Sequence, residues 1–208
     1  KLKGPDGLIV IGSQSNDGQR ILRYTLGKSL AGDGSDDGRY TILVTTVNKA
    51  KRRDQEKSFS FTYDTQAPKL ISASPPLDIN ATLSYVSTSI TSLYVRLRDE
   101  GPAGIDLDKS TMKLTGPDNT TVTGTASNDE VDKLQIDFPS GLPIEGQYTL
   151  AVVATDKAGN TFPTAISFVY GISVPKVVST EPVTMPASEA YVRKQIKEVR
   201  ATLNETGT

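Results

Sequence analysis

The chain has 208 residues with 23 basic and 24 acidic side chains, a net charge of −1, and so projects no field that would gather nucleic acid or an anionic membrane surface. Histidine and cysteine are both absent, which removes the usual general base, the thiol nucleophile and the commonest transition-metal ligands together. These counts point away from an enzyme, a polyanion binder and a disulfide-framed protein, and they leave the redox compartment open.

No apolar run approaches the roughly 20 residues of a membrane span, so no membrane insertion is expected within the chain. The opening residues, KLKGPDG, are not a signal peptide, and with no initiator methionine the chain reads as an internal fragment.

Taken in chain order, the first stretch already has a later copy. KLKGPDGLIVIGSQSND (1–17) pairs with KLTGPDNTTVTGTASND (113–129), with ten of seventeen positions identical. AGDGSDDG (31–38) marks a loop insertion, after which DGRYTILVTTVNKA is echoed by EGQYTLAVVATDKAGN, with Tyr40 and Thr41 falling on Tyr148 and Thr149. SFTYDTQAPK (60–69) then matches SFVYGISVPK (167–176), and ITSLYVRLRDEG (90–101) matches IKEVRATLNETG (196–207). Each repeat is therefore about 107–112 residues long. One complete unit, 68–173, is flanked by the later part of one unit (1–67) and the opening strands of another (174–208).

Within the complete unit, apolar residues recur at every second position. SLYVRLRD places Leu93, Val95 and Leu97 on one face, DKLQIDF places Leu134, Ile136 and Phe138 together, and QYTLAVVATD aligns Tyr148, Leu150, Val152 and Ala154. These are strands with one face on a core and the other in water. EGPAG, TGPDN, SGLP and DKAGN separate them as turns, at the spacing of a sandwich or barrel. ASEAYVRKQIKEV (187–199) has a helical composition, but its match to 90–97 predicts a strand in its last half.

DGRYTILVTTVNKA, EGQYTLAVVATDKAGN, the join FTYDTQAP and the repeat length together resemble tandem bacterial immunoglobulin-like domains of surface adhesins, surface-layer proteins and secreted multidomain enzymes. The resemblance implies an all-β chain of tandem Greek-key β-sandwiches, extracellular at the cell surface or secreted. Its implied role is a semi-rigid adhesive stalk or spacer whose partners are neighbouring repeats. A glycan- or protein-binding module and an accessory module of a secreted hydrolase are the alternatives. Tyr40 and Tyr148 are expected to act as corner tyrosines, each bonding its hydroxyl back to nearby backbone.

No catalytic or cofactor-binding residue is expected, and no metal ligand is assigned. The most suggestive group is acidic: Asp99, Glu100, Asp106 and Asp108 in one loop, Asp156 and Asn160 in another, and Asp64 in the linker. Hard oxygen ligands at a joint between units could hold Ca²⁺, although Asn48 and Gly171 replace Asp156 and Asp64 in the other copies. Solvated turn carboxylates are the plainer reading. AGDGSDDG lacks the ligand spacing of a calcium loop, and KAKRRD (49–54) reads as a solvated hairpin tip. Sequons occur at Asn80, Asn119 and Asn204. The two partial ends are complementary halves, so self-association by strand complementation is expected.

Overall fold

The computed structural model describes residues 1–18, 20–182, 192–193 and 195–204; among them every regular element is a β-strand. At the N-terminus β1 (Leu2–Lys3), β4 (Gly38–Val44) and β5 (Lys57–Tyr63) form one antiparallel sheet, while β2 (Gly12–Asn16) and β3 (Leu22–Leu26) form a separate hairpin.

The central region closes into a sandwich. One sheet has the order β11 (Thr125–Asn128), β12 (Lys133–Asp137), β8 (Ser92–Arg98), β6 (Lys69–Ser74). The other runs β10 (Thr121–Val122), β9 (Thr111–Thr115), β13 (Gly146–Thr155), β14 (Thr161–Tyr170), β7 (Ser84–Val86). Named alphabetically along the chain, the first sheet is D-E-B-A and the second carries C-F-G with the short strand β7 at its edge, which is the immunoglobulin-like arrangement. The fold is all-β, as the alternation predicts, and immunoglobulin-like, as the resemblance implies.

Alternation also dictates the core. Leu93, Val95 and Leu97 of β8 and Leu134 and Ile136 of β12, with Phe138 just beyond it, face Leu114, Tyr148, Leu150, Val152, Ala154, Ile166 and Phe168 of the opposite sheet, and all of them are buried. The Tyr148 and Phe168 rings stack with centroids 5.4 Å apart, and Tyr170 meets Tyr148 edge-on at 6.2 Å. Such ring pairs add to simple area burial.

The N-terminal sheet reproduces this detail at the matching positions. Tyr40 stacks on Phe61 at 5.3 Å and meets Tyr63 edge-on at 6.4 Å. The Tyr40 hydroxyl donates to the Asp36 carbonyl at 2.7 Å and that of Tyr148 to the Ile144 carbonyl at 2.5 Å, so both are corner tyrosines. Gly38 and Gly146 hold φ of +147° and +137°, and a Cβ at either would strike Pro5 or Pro117. Glycine at both G-x-Y phrases is thus required by backbone conformation and by space.

What differs is cover. β2–β3 corresponds to β11–β12, but no counterpart of β6 and β8 lies beside it among the described residues. Leu22, Ile42 and Phe61, equivalent to the buried Leu134, Leu150 and Phe168, are consequently exposed.

At the other end β15 (Val177–Glu181) pairs with β16 (Arg200–Leu203). The strand predicted over the last half of 187–199 starts later than expected, at Arg200; described residues 195–199 carry no strand, and residues 187–191 and 194 lie outside the described ones. The physical reason is pairing: β8 is held on both edges, by β6 and β12, whereas β16 has only β15 to define it.

Candidate functional site

The strand alternation that builds the core continues one step past the strand ends. Residue 99 follows 93, 95 and 97 on the inward face of β8, and residue 156 follows 148 to 154 on that of β13, so both aspartates point toward the same pole. Asp64 arrives there from the linker that follows β5. One carboxylate oxygen from each of Asp64, Asp99 and Asp156 lies within 4.8 Å of the other two. Asp156 is fully buried and Asp64 is 7% exposed.

In two of the three carboxylates both oxygens accept hydrogen bonds. Asp64 Oδ1 accepts from the Gln66 N–H at 3.0 Å and Oδ2 from the Ala103 N–H at 2.7 Å. Asp156 Oδ1 accepts from the Gly159 and Asn160 N–H groups at 2.7 and 2.8 Å, and Oδ2 from Asn160 Nδ2 at 2.8 Å. Asp99 Oδ1 takes the Gly101 N–H at 3.0 Å, while its buried Oδ2 has no partner. Burial raises the Asp99 pKa above the usual carboxylate value, and the neighbouring charges of Asp64 and Asp156 raise it further against the lowering effect of the Gly101 and Gly104 N–H groups. Among the described residues no lysine or arginine forms an ion pair with any of the three.

The same pole anchors the linker. Asn160 Nδ2 donates to the Asp64 carbonyl at 3.0 Å. From the preceding sheet, Asp37 accepts from Thr65, from its N–H at 3.0 Å and from its hydroxyl at 3.0 Å. Glu145 repeats this clamp at the opposite end, where Oε1 accepts from the Ile172 and Ser173 N–H groups at 3.0 and 2.8 Å. Sequence reasoning missed Asp37 and Glu145; the signal was an acid directly before the glycine of both G-x-Y phrases.

The remaining acidic candidates turn away. Glu100 pairs with Lys69 at 3.0 Å and Asp106 with Lys109 at 2.9 Å, and these lysines hold both carboxyls below the usual range. Asp108 is exposed. Asn48 caps its own hairpin by accepting from the Arg52 N–H at 2.9 Å, and KAKRRD is exposed throughout. In AGDGSDDG the carboxylates are engaged locally, Asp33 by Ser35 and Asp36 by the Ala31 N–H. Asn80, Asn119 and Asn204 are exposed.

The described surface also carries a cleft of about 380 Å³ between residues 116–123 and 138–144. Asp118 and Tyr148 are its ionisable side chains, the first occupied by Thr120 and the second by the Ile144 carbonyl.

No known protein family and no curated protein matches this sequence. Among solved structures, half of the chain is similar to CopC from Methylosinus trichosporium OB3b, with 18% identity, 93% of that chain covered and a TM-score of 0.39. The methionine-rich copper resistance protein PcoC from Escherichia coli matches 50% of the chain and 99% of its own, at 15% identity and a TM-score of 0.38. The present chain holds two methionines and neither histidine nor cysteine. Among the described residues no helix is long and apolar enough to cross a membrane.

Proposed function

We propose that the chain is a run of immunoglobulin-like repeats, 1–67, 68–173 and 174–208, serving as a semi-rigid spacer in an extracellular bacterial surface or secreted protein. One observation carries the reading: the linker 64–68 is built into its neighbours. Asp64 and Pro68 are buried, Thr65 is held by Asp37 on one side, and Asp64 is held by Ala103 and Asn160 on the other. A linker fixed from both sides transmits orientation, whereas a solvated one lets domains swing. Spin labels on Arg39→Cys and Lys113→Cys, both exposed sites in a chain without native cysteine, should give one narrow distance distribution. A broad distribution overturns the spacer reading.

The orphaned Asp99 oxygen favours a second element of the same reading, a divalent cation at the joint. Oxygens within 4.8 Å of one another can all reach a single Ca²⁺, which binds oxygen at about 2.3–2.6 Å. Asp64, Asp99 and Asp156 would hold the ion, whose charge would replace mutual repulsion with attraction. Calcium should raise the melting temperature of the chain above its value in EDTA. Asp99→Asn should abolish that response while leaving the EDTA form at least as stable, since it removes one of three crowded charges. A wild-type melt indifferent to calcium removes the cation from the proposal.

A further inference from the structure

We infer that the cleft at the β10 edge of the central sandwich binds one neutral sugar residue of a glycan. Every wall of the cleft belongs to that sandwich: the turn after β9, β10 itself and the crossover behind it on one side, and the loop between β12 and β13 on the other. Pro117, Pro139 and Pro143 stiffen both walls, so the cleft exists before any ligand arrives and little ordering is needed to fill it. Its volume of about 380 Å³ falls in the range of small-molecule sites and suits a single pyranose ring.

The lining sets the class of ligand. Val122, Phe138 and Ile144 give the cleft apolar surface suited to the C–H face of a sugar ring. Thr121, Thr123 and Ser140 supply hydroxyls, and among the described residues none of these three hydroxyls bonds to another group of the chain. Asp118 is the one charged side chain in the lining. Its Oδ1 accepts from the Thr120 N–H at 3.1 Å and from the Thr120 hydroxyl at 2.8 Å, which leaves Oδ2 for a ligand. The bonds from Thr120 hold the Asp118 carboxyl below the usual range, so it is a charged acceptor at neutral pH. A carboxylate oxygen beside hydroxyls that both donate and accept matches a polyol. With no cation in the lining, that same carboxylate repels an anionic sugar.

The preceding repeat shows that the fold does not require these hydroxyls. There Asp6 makes the same turn, its Oδ1 accepting from the Leu8 N–H at 2.9 Å. Leu8, Ile9, Val10 and Ile11 stand where the central unit has Thr120, Thr121, Val122 and Thr123. The valine, which in the central unit packs on the core, is kept, and the other three positions change from aliphatic to hydroxyl. Leu8, Ile9 and Ile11 are 68%, 47% and 84% exposed, and Thr120, Thr121 and Thr123 are exposed as well. Packing therefore does not choose between the two sets. The Thr121 and Thr123 hydroxyls, which bond nothing in the chain, are placed for a group outside it.

The inference goes beyond the spacer reading, whose label-distance test is indifferent to it. Backbone amide shifts of the 208-residue chain, followed by NMR, should move at 118–123 and 139–144 on addition of millimolar galactose, glucose, mannose or N-acetylglucosamine, and should not move with sialic acid. Asp118→Asn, whose amide oxygen can still accept from Thr120, should weaken binding of the responding sugar about tenfold by removing the charged acceptor. Thr123→Ile, which installs the preceding repeat's residue at an exposed position, should weaken it similarly with an unchanged circular dichroism spectrum. Thr123→Ser keeps the hydroxyl and should bind as the unaltered chain does. No shift with any of the four neutral sugars, equal shifts with sialic acid, or binding that Asp118→Asn and Thr123→Ile leave intact each overturns the inference.

Discussion

Phe168→Ala is expected to destabilise the central sandwich by about 4 kcal/mol, the range for emptying a buried aromatic site. Phe168 has no exposed surface, stacks on Tyr148 and sits on a strand paired along its full length, so the surroundings have little freedom to collapse into the void. The loss is a large fraction of the stability of an ordinary domain. The matching Phe61→Ala in the N-terminal sheet should cost about half as much or less, because Phe61 is 39% exposed and burial contributes in proportion to area removed from water. Urea denaturation followed by circular dichroism reads both. Equal effects would mean that Phe61 is covered in solution.

The second large effect belongs to the joint. Asp156→Ala should cost about 3 kcal/mol, because it leaves Asn160 Nδ2 and the N–H groups of Gly159 and Asn160 without their acceptor inside a buried turn. Asp156→Asn should cost under about 1 kcal/mol, since an amide oxygen can still accept from the turn. The chain itself makes that replacement at Asn48, whose Oδ1 accepts from the Arg52 N–H in the equivalent hairpin. The same denaturation measurement decides; similar costs for alanine and asparagine would show that the carboxylate charge, not the turn, is what matters there.

Much of this was legible in the sequence because a strand has a period of two. The parity that put Leu93, Val95 and Leu97 inside also put Asp99 inside and Glu100 outside, and on β13 it carried Asp156 inward. Loop membership alone does not carry that distinction: Asp106 and Asp108 share the loop with Asp99, yet Asp106 pairs with Lys109 and Asp108 is exposed. The corner tyrosines were readable because the G-x-Y phrase encodes a local bond four residues back. The linker clamps were not, because Asp37 meets Thr65 across 28 residues and no local pattern announces a partner that distant. The start of β16 was misplaced for a related reason: where a strand begins depends on the neighbour that pairs with it as well as on its own residues.

β7 runs parallel to β14 through Ser84–Val86 and Phe168–Tyr170, at the pole where the chain leaves the sandwich and opposite the one where it enters. Tension applied to the two ends would drag these strands past each other lengthwise, so their bonds would have to rupture together instead of unzipping one at a time. Resistance to pulling would then be governed by an unfolding rate and not by equilibrium stability, and a few bonds at one edge would set it.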